Sequence, residues 1–99
     1  MHFLLIYELA PDYLERRGQY RDEHLQLAWQ ASERGEIVIA GAMAEPADMA
    51  ALMFSCDSKD VVEAFAKADP YVIHGLVTRY QVRQWNTVVG ENAFNPVRP

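Results

Sequence analysis

Arg17, Arg21 and His24 recur at i, i+4 and i+7, which places all three on one stripe of a helix. Asp69 lies far downstream in the run Ala68-Asp69-Pro70-Tyr71-Val72. Imidazole titrates near neutrality and a carboxylate can hold its tautomer, so a meeting of His24 and Asp69 predicts an acid–base pair that handles protons. Three basic groups on one inward stripe are expensive to bury for packing alone. Arg17 and Arg21 are therefore expected to anchor a carboxylate or similar anion beside the imidazole. Asp69 also has a structural use, because Asp followed by Pro is a good N-cap and first-turn pair for a short helical turn through His74. The two uses are compatible: a carboxylate that accepts backbone N–H bonds can orient an imidazole as a triad carboxylate does.

Other residue types add less. Tyr7 and Tyr71 are candidates to line a substrate pocket, with Trp85 a third, although aromatics in strands and turns commonly serve packing. His2 and His74 have no metal-type spacing with each other or with His24, so no metal is expected. There is no glycine-rich phosphate loop and no nucleophile elbow, and no cofactor is expected. The single Cys56 reads as a small buried hydrophobe in mid-strand.

The elements that must position these residues follow from the hydrophobic pattern. Phe3 to Tyr7 is a run of β-formers without polar alternation, the mark of a central strand covered on both faces. Pro11 and Asp12 supply helix-start chemistry, and from about Tyr13 to Arg34 a 100° projection puts Leu14, Tyr20, Leu25, Leu27, Ala28, Trp29 and Ala31 on an inward arc with His24. Gly35 suits the C-cap. Gly18 weakens the first turns by about 1 kcal/mol relative to alanine. Strands are expected at Ile37–Ala40 and Ala51–Cys56, pairing as a long-looped hairpin. A second helix capped by Asp57 or Ser58 should show Val61, Val62, Ala64, Phe65 and Ala68 inward and stop before Pro70. Leu76 to Trp85 is the last strand, and Thr87 to Pro99 reads as an extended arm.

This order is the α+β, ferredoxin-like βαββαβ plan: a four-stranded antiparallel sheet with two helices on one face. Residues 1–86 form the domain and 87–99 the tail. Both helices leave the same end of the sheet. At 1.5 Å per residue, His24 falls roughly 16 Å along a helix that starts near Tyr13, and Asp69 about as far along one that starts near Ser58. The two would lie level. A helix that began only after Gly18 would raise His24 by roughly 9 Å and lose the pair. The sheet's second face is left bare, and its apolar residues predict a homodimer packed sheet to sheet.

At 99 residues with a net charge of −5, 14 acidic against 9 basic, the chain makes a poor phosphate-tracking surface, so no nucleic-acid partner is expected. The apolar opening is too short to span a membrane and lacks signal-peptide features, and a lone cysteine fits a reducing compartment, so no membrane partner and a cytoplasmic location are expected.

The combination Leu14-Glu15-x-Arg17-x-x-x-Arg21-x-x-His24-Leu25, then Gly35 and Ala40-Gly41, then Ala68-Asp69-Pro70-Tyr71-Val72 with Gly75, resembles the YciI-like, or YCII-related, family over about residues 3 to 86. The resemblance implies a dimeric α+β barrel, the architecture of muconolactone isomerase-like proteins, with a His and Asp active site that falls here on His24 and Asp69. The few members with assigned reactions imply small-molecule chemistry such as removal of halide from a chlorinated aromatic. The chain departs from the family at Gly41-Ala42, where Gly-Pro is common, and at Gln84-Trp85, where a proline usually precedes the last aromatic. These readings together predict a cofactor-free isomerase or lyase acting on a small anionic organic substrate. The alternatives are a non-catalytic dimeric module that binds a small ligand in the same cleft, and a purely structural dimer.

Overall fold

Apolar residues on both faces make β1 (His2–Leu9) an inner strand, as its unalternated sequence predicts. A computed structural model describes residues 1–99. After β1 come α1 (Tyr13–Glu33), β2 (Ile37–Ala42), β3 (Met49–Ser55), α2 (Lys59–Ala68), the one-turn α3 (Pro70–Ile73) and β4 (Val77–Trp85). The sheet order is β2-β3-β1-β4 and every pairing is antiparallel. This is the α+β, ferredoxin-like βαββαβ fold.

Phe3, Leu5 and Tyr7 point to the helices, and so do their cross-strand partners Phe54, Leu52 and Ala50 on β3. With Tyr80 and Val82 of β4 they meet Tyr13 and Ala31 of α1 and Val62, Phe65 and Ala66 of α2 in one core. Phe54 and Phe65 pack edge to face with centroids 5.4 Å apart. The Ser58 hydroxyl caps α2 by accepting from the Asp60 N–H at 3.1 Å, while Asp12 makes no side-chain cap for α1. Gly35 closes α1 at φ 80°, in the left-handed region that favours glycine.

Several expectations need correction. Leu14 (57 % exposed), Leu25 and Trp29 (65 %) do not pack inward. A projection gives the direction of a side chain but not the distance to its neighbour, and α1 stands away from β2 over a cleft. In α2 the buried positions are Val62, Phe65 and Ala66, whereas Ala64 and Ala68 face solvent, a narrower i, i+3, i+4 stripe than the composition implies. Cys56 lies just beyond β3, half-buried, where its thiol donates to the Ser58 carbonyl. The tail is not an extended arm. It folds back through Asn95 N–H to Thr87 O and Val97 N–H to Val88 O, and the Thr87 hydroxyl and the Phe94 ring bury His2.

The other face of the sheet carries Leu4 and Ile6 with their partners Met53 and Ala51, and beyond Met53 comes Ile39, which is 70 % exposed. No helix of the chain is long and apolar enough to cross a membrane.

The phasing of α2 sets a simple contrast. Ala66→Ser, which puts a hydroxyl into the core, should lower stability in urea denaturation by about 1–3 kcal/mol. Ala64→Ser should change it by no more than about 0.5 kcal/mol. Equal losses would contradict the observed phasing.

Candidate active site

Asp69 lies between two helices. Pro70 disfavours the α region for the residue before it, so α2 ends and Asp69 turns to φ −70°, ψ 121°. From there it caps α3: Oδ1 accepts the Tyr71 N–H at 3.0 Å. The same Oδ1 lies 2.8 Å from His24 Nδ1, and Oδ2 accepts the Tyr7 hydroxyl at 2.7 Å. The residue is 0 % exposed. A buried carboxylate without partners would cost several kcal/mol, and here three donors offset that cost. Asp69 accepts from Tyr7 and Tyr71, and an ionised carboxylate has no hydrogen to give, so its contact with His24 calls for the ring hydrogen on Nδ1.

Three elements bring the donors together. Helix α1 runs unbroken from Tyr13 through Gly18, which keeps His24 level with the end of α2. β1 delivers Tyr7 on the helix-facing side of the sheet. α3 supplies both the Tyr71 N–H and the Tyr71 ring, which lies flat on His24 with centroids 3.9 Å apart and planes 8° from parallel. A second stack, Tyr20 on His74 at 4.2 Å, and the bond from the Arg16 guanidinium to the His74 carbonyl at 2.8 Å fasten α1 to α3 nearby. His24 is thus clamped at Nδ1 and on one ring face, and its Nε2 makes no bond within the protein.

His24 and Tyr71 form one wall of a cavity of about 440 Å³ between α1 and the β2–β3 side of the sheet. Ala40, Gly41, Ala42 and Ala50 line the opposite wall, and their small side chains leave the space open. Arg17 and Arg21 also line it, and neither forms an ion pair with a carboxylate, unlike Arg16, Arg34 and Arg79. The Arg17 guanidinium sits 5.6 Å from the centre of the Tyr13 ring, which turns edge-on to Tyr71. Leu25 and Trp29, misplaced by the helical projection, belong to its apolar lining.

The structure therefore brings His24, Arg17, Arg21, Tyr7 and Tyr71 around one cavity, with Asp69 buried behind His24 and Tyr7. Tyr7 differs in detail from a simple pocket-lining aromatic: its ring borders the cavity but its hydroxyl is committed to Asp69. Burial, reinforced by the Asp69 carboxylate, pushes the Tyr7 phenol far above its ordinary value. Burial, with Tyr13 adjacent, pushes the Tyr71 phenol up to about 12 against the opposing pull of Arg21 and Arg17. Burial likewise raises the Cys56 thiol, which argues against a nucleophilic role. Tyr13, the platform for Arg17, escapes a reading of the sequence because nothing in a helix start marks an aromatic as a cation's support. The signal is the i, i+4 spacing of Tyr13 and Arg17, which puts ring and guanidinium on one face of α1.

The profile of the YCII-related domain family matches residues 1–86, nearly the whole chain. Among curated proteins no match is found. Among solved structures, one similar in fold is 5-chloro-2-hydroxyhydroquinone dehydrochlorinase (TftG) from Burkholderia phenoliruptrix AC1100, in complex with 2,5-dihydroxybenzoquinone. It superposes with a TM-score of 0.75 at 22% sequence identity, over 88% of this chain and 95% of that one.

Tyr7→Phe deletes one donor to a buried charge and should cost about 1.5–3 kcal/mol of stability in urea denaturation; a change under about 0.5 kcal/mol would contradict the contact. A tyrosine raised in the folded chain favours folding fully below its ordinary value of 10.0, and that contribution is lost as pH climbs toward about 12 for Tyr71. Stability should therefore fall above pH 10, and tyrosinate absorbance should lag behind that of the denatured chain. Tyr71→Phe should remove the component near pH 12.

Proposed function

The chain belongs to the YCII-related domain family, and we propose that its cavity is the active site of an enzyme that moves a proton on a small anionic organic molecule, as a lyase or isomerase. The observation that carries this reading is the His24 Nδ1 to Asp69 contact at 2.8 Å, which leaves Nε2 unbonded beside a cavity with two unpaired guanidinium groups. Asp69 holds the tautomer and offsets the charge that forms when the imidazole takes a second proton. Arg17 and Arg21 hold the anionic substituent and fix the reacting carbon against Nε2.

The step runs as follows. Nε2 takes a proton from a carbon next to a carbonyl, and the C–H electron pair moves into the carbonyl as an enolate. If the pair returns and expels a leaving group such as halide from the adjacent carbon, the outcome is elimination. If His24 gives its proton back at another carbon, the outcome is isomerisation. After elimination the halide leaves as the anion and the proton passes from His24 to solvent; in isomerisation the proton returned is the one that His24 took. The dehydrochlorinase with the similar fold makes halide loss from chlorinated hydroxyaromatics the first reaction to test; on such a ring, in its keto tautomer, Nε2 would take the proton of a hydroxyl and the oxygen's electron pair would pass through the ring to expel chloride.

The proposal includes a homodimer. Leu4, Ile6, Met53 and Ile39 form an apolar sheet face that no element of the chain covers, and a second copy placed sheet to sheet would cover it.

Wild-type protein incubated with chlorinated hydroquinones and halogenated or keto acids should release halide or exchange substrate hydrogen with deuterated solvent. His24→Asn should lower kcat by about 10²–10⁴-fold with the circular dichroism spectrum intact. Saturable binding of these compounds with neither halide release nor exchange would contradict catalysis and favour a binding module. Sedimentation should give a dimer at micromolar concentration and Ile6→Glu a monomer; a monomeric wild type would contradict the sheet-to-sheet arrangement.

A further inference from the structure

Tyr71 has one group that the site as described does not use. Its N–H donates to Asp69 and its ring lies on His24, but its hydroxyl forms no hydrogen bond with any protein atom. That hydroxyl is not sealed in the core, since no buried side-chain oxygen or nitrogen in the chain lacks a partner. Tyr71, Arg17 and Arg21 all line the cavity, and Arg17 sits over the Tyr13 ring that meets Tyr71 edge-on, so the unpaired hydroxyl shares that space with the two guanidinium groups.

We propose that the Tyr71 hydroxyl, together with Arg17 and Arg21, forms an oxyanion pole that receives the negative oxygen of a bound enolate or phenolate. This rests on the acid–base reading above and deepens it. When His24 Nε2 takes the proton, the electron pair ends on the substrate oxygen, and a donor waiting there lowers the barrier because it needs no reorganisation. The phenol suits the task because it stays protonated throughout the neutral range and so donates rather than repels. The geometry also ties the two halves of the reaction to one residue: the ring that flattens His24 carries at its far end the donor for the oxygen. The substrate class that follows is a flat molecule with an ionisable oxygen conjugated to the reacting carbon, in preference to a saturated acid whose charge never moves.

Tyr71→Phe tests this without disturbing the fold, because the ring, its stack on His24 and the backbone cap all persist. Para-nitrophenol reports the bound oxyanion by its absorbance, and para-nitroanisole is a neutral control of nearly the same shape. Wild type should bind the phenolate, and Tyr71→Phe should weaken that binding about tenfold while para-nitroanisole binds both proteins equally. Equal phenolate affinity in the two proteins would overturn the proposal. So would an equal loss for the anisole, which would mean that Tyr71 acts only through packing, or the absence of phenolate binding by wild type. Failure of the acid–base reading looks different: the phenolate contrast persists, but no halogenated or keto acid exchanges hydrogen or loses halide.

Discussion

A carboxylate with no solvent exposure must have its charge answered by the protein, and at Asp69 three separate segments supply the answer. Tyr7 comes from β1, His24 from α1 and the Tyr71 N–H from α3. Each donor sets a condition on the element that carries it. β1 must keep the register that puts Tyr7 opposite Ala50 and Tyr80, since a slip by one residue would turn it to the bare face of the sheet. Helix α1 must stay continuous through Gly18, and α2 must stop at Asp69, which Pro70 ensures. The core of the protein and its candidate chemistry thus share one hydrogen-bonded centre.

The cavity follows from the same arrangement. The seam of Tyr71 on His24 and Tyr20 on His74 ties α1 to α3, while the β2–β3 side of the sheet contributes Ala40, Gly41, Ala42 and Ala50 to the wall of the cavity. Small side chains there cannot reach α1, so space is left beside the one imidazole nitrogen that the clamp does not use. Two arginines without carboxylate partners give that space a positive pole in a chain whose net charge is −5. A local field opposite in sign to the whole molecule would draw an anionic ligand into that space.

Much of this is legible in the sequence. The unalternated run from Phe3 to Tyr7 marks β1 as central, and the order of periodicities gives the ferredoxin-like plan. Asp69-Pro70 announces a cap, and the rise per residue makes His24 and Asp69 level once α1 begins at Tyr13. Other features are hidden for physical reasons. Helical projection cannot tell a side chain that meets the sheet from one that meets a cavity, which is why Leu25 and Trp29 look like core. Strand register is a property of two segments, so the bond from Tyr7 to Asp69 cannot be read from either one alone. The folded-back tail depends on Thr87 finding His2, a contact between opposite ends of the chain.

The claim on which the rest turns is that Asp69 holds the His24 ring with the hydrogen on Nδ1 and leaves Nε2 free. Long-range ¹H–¹⁵N correlation spectra of the histidine side chains measure this directly. In its neutral form His24 should show a pyrrole-type Nδ1 and a pyridine-type Nε2, and the assignment should be lost or inverted in Asp69→Asn. A neutral His24 with its hydrogen on Nε2 in the wild type, unchanged by Asp69→Asn, would contradict the pair and the proton chemistry built on it.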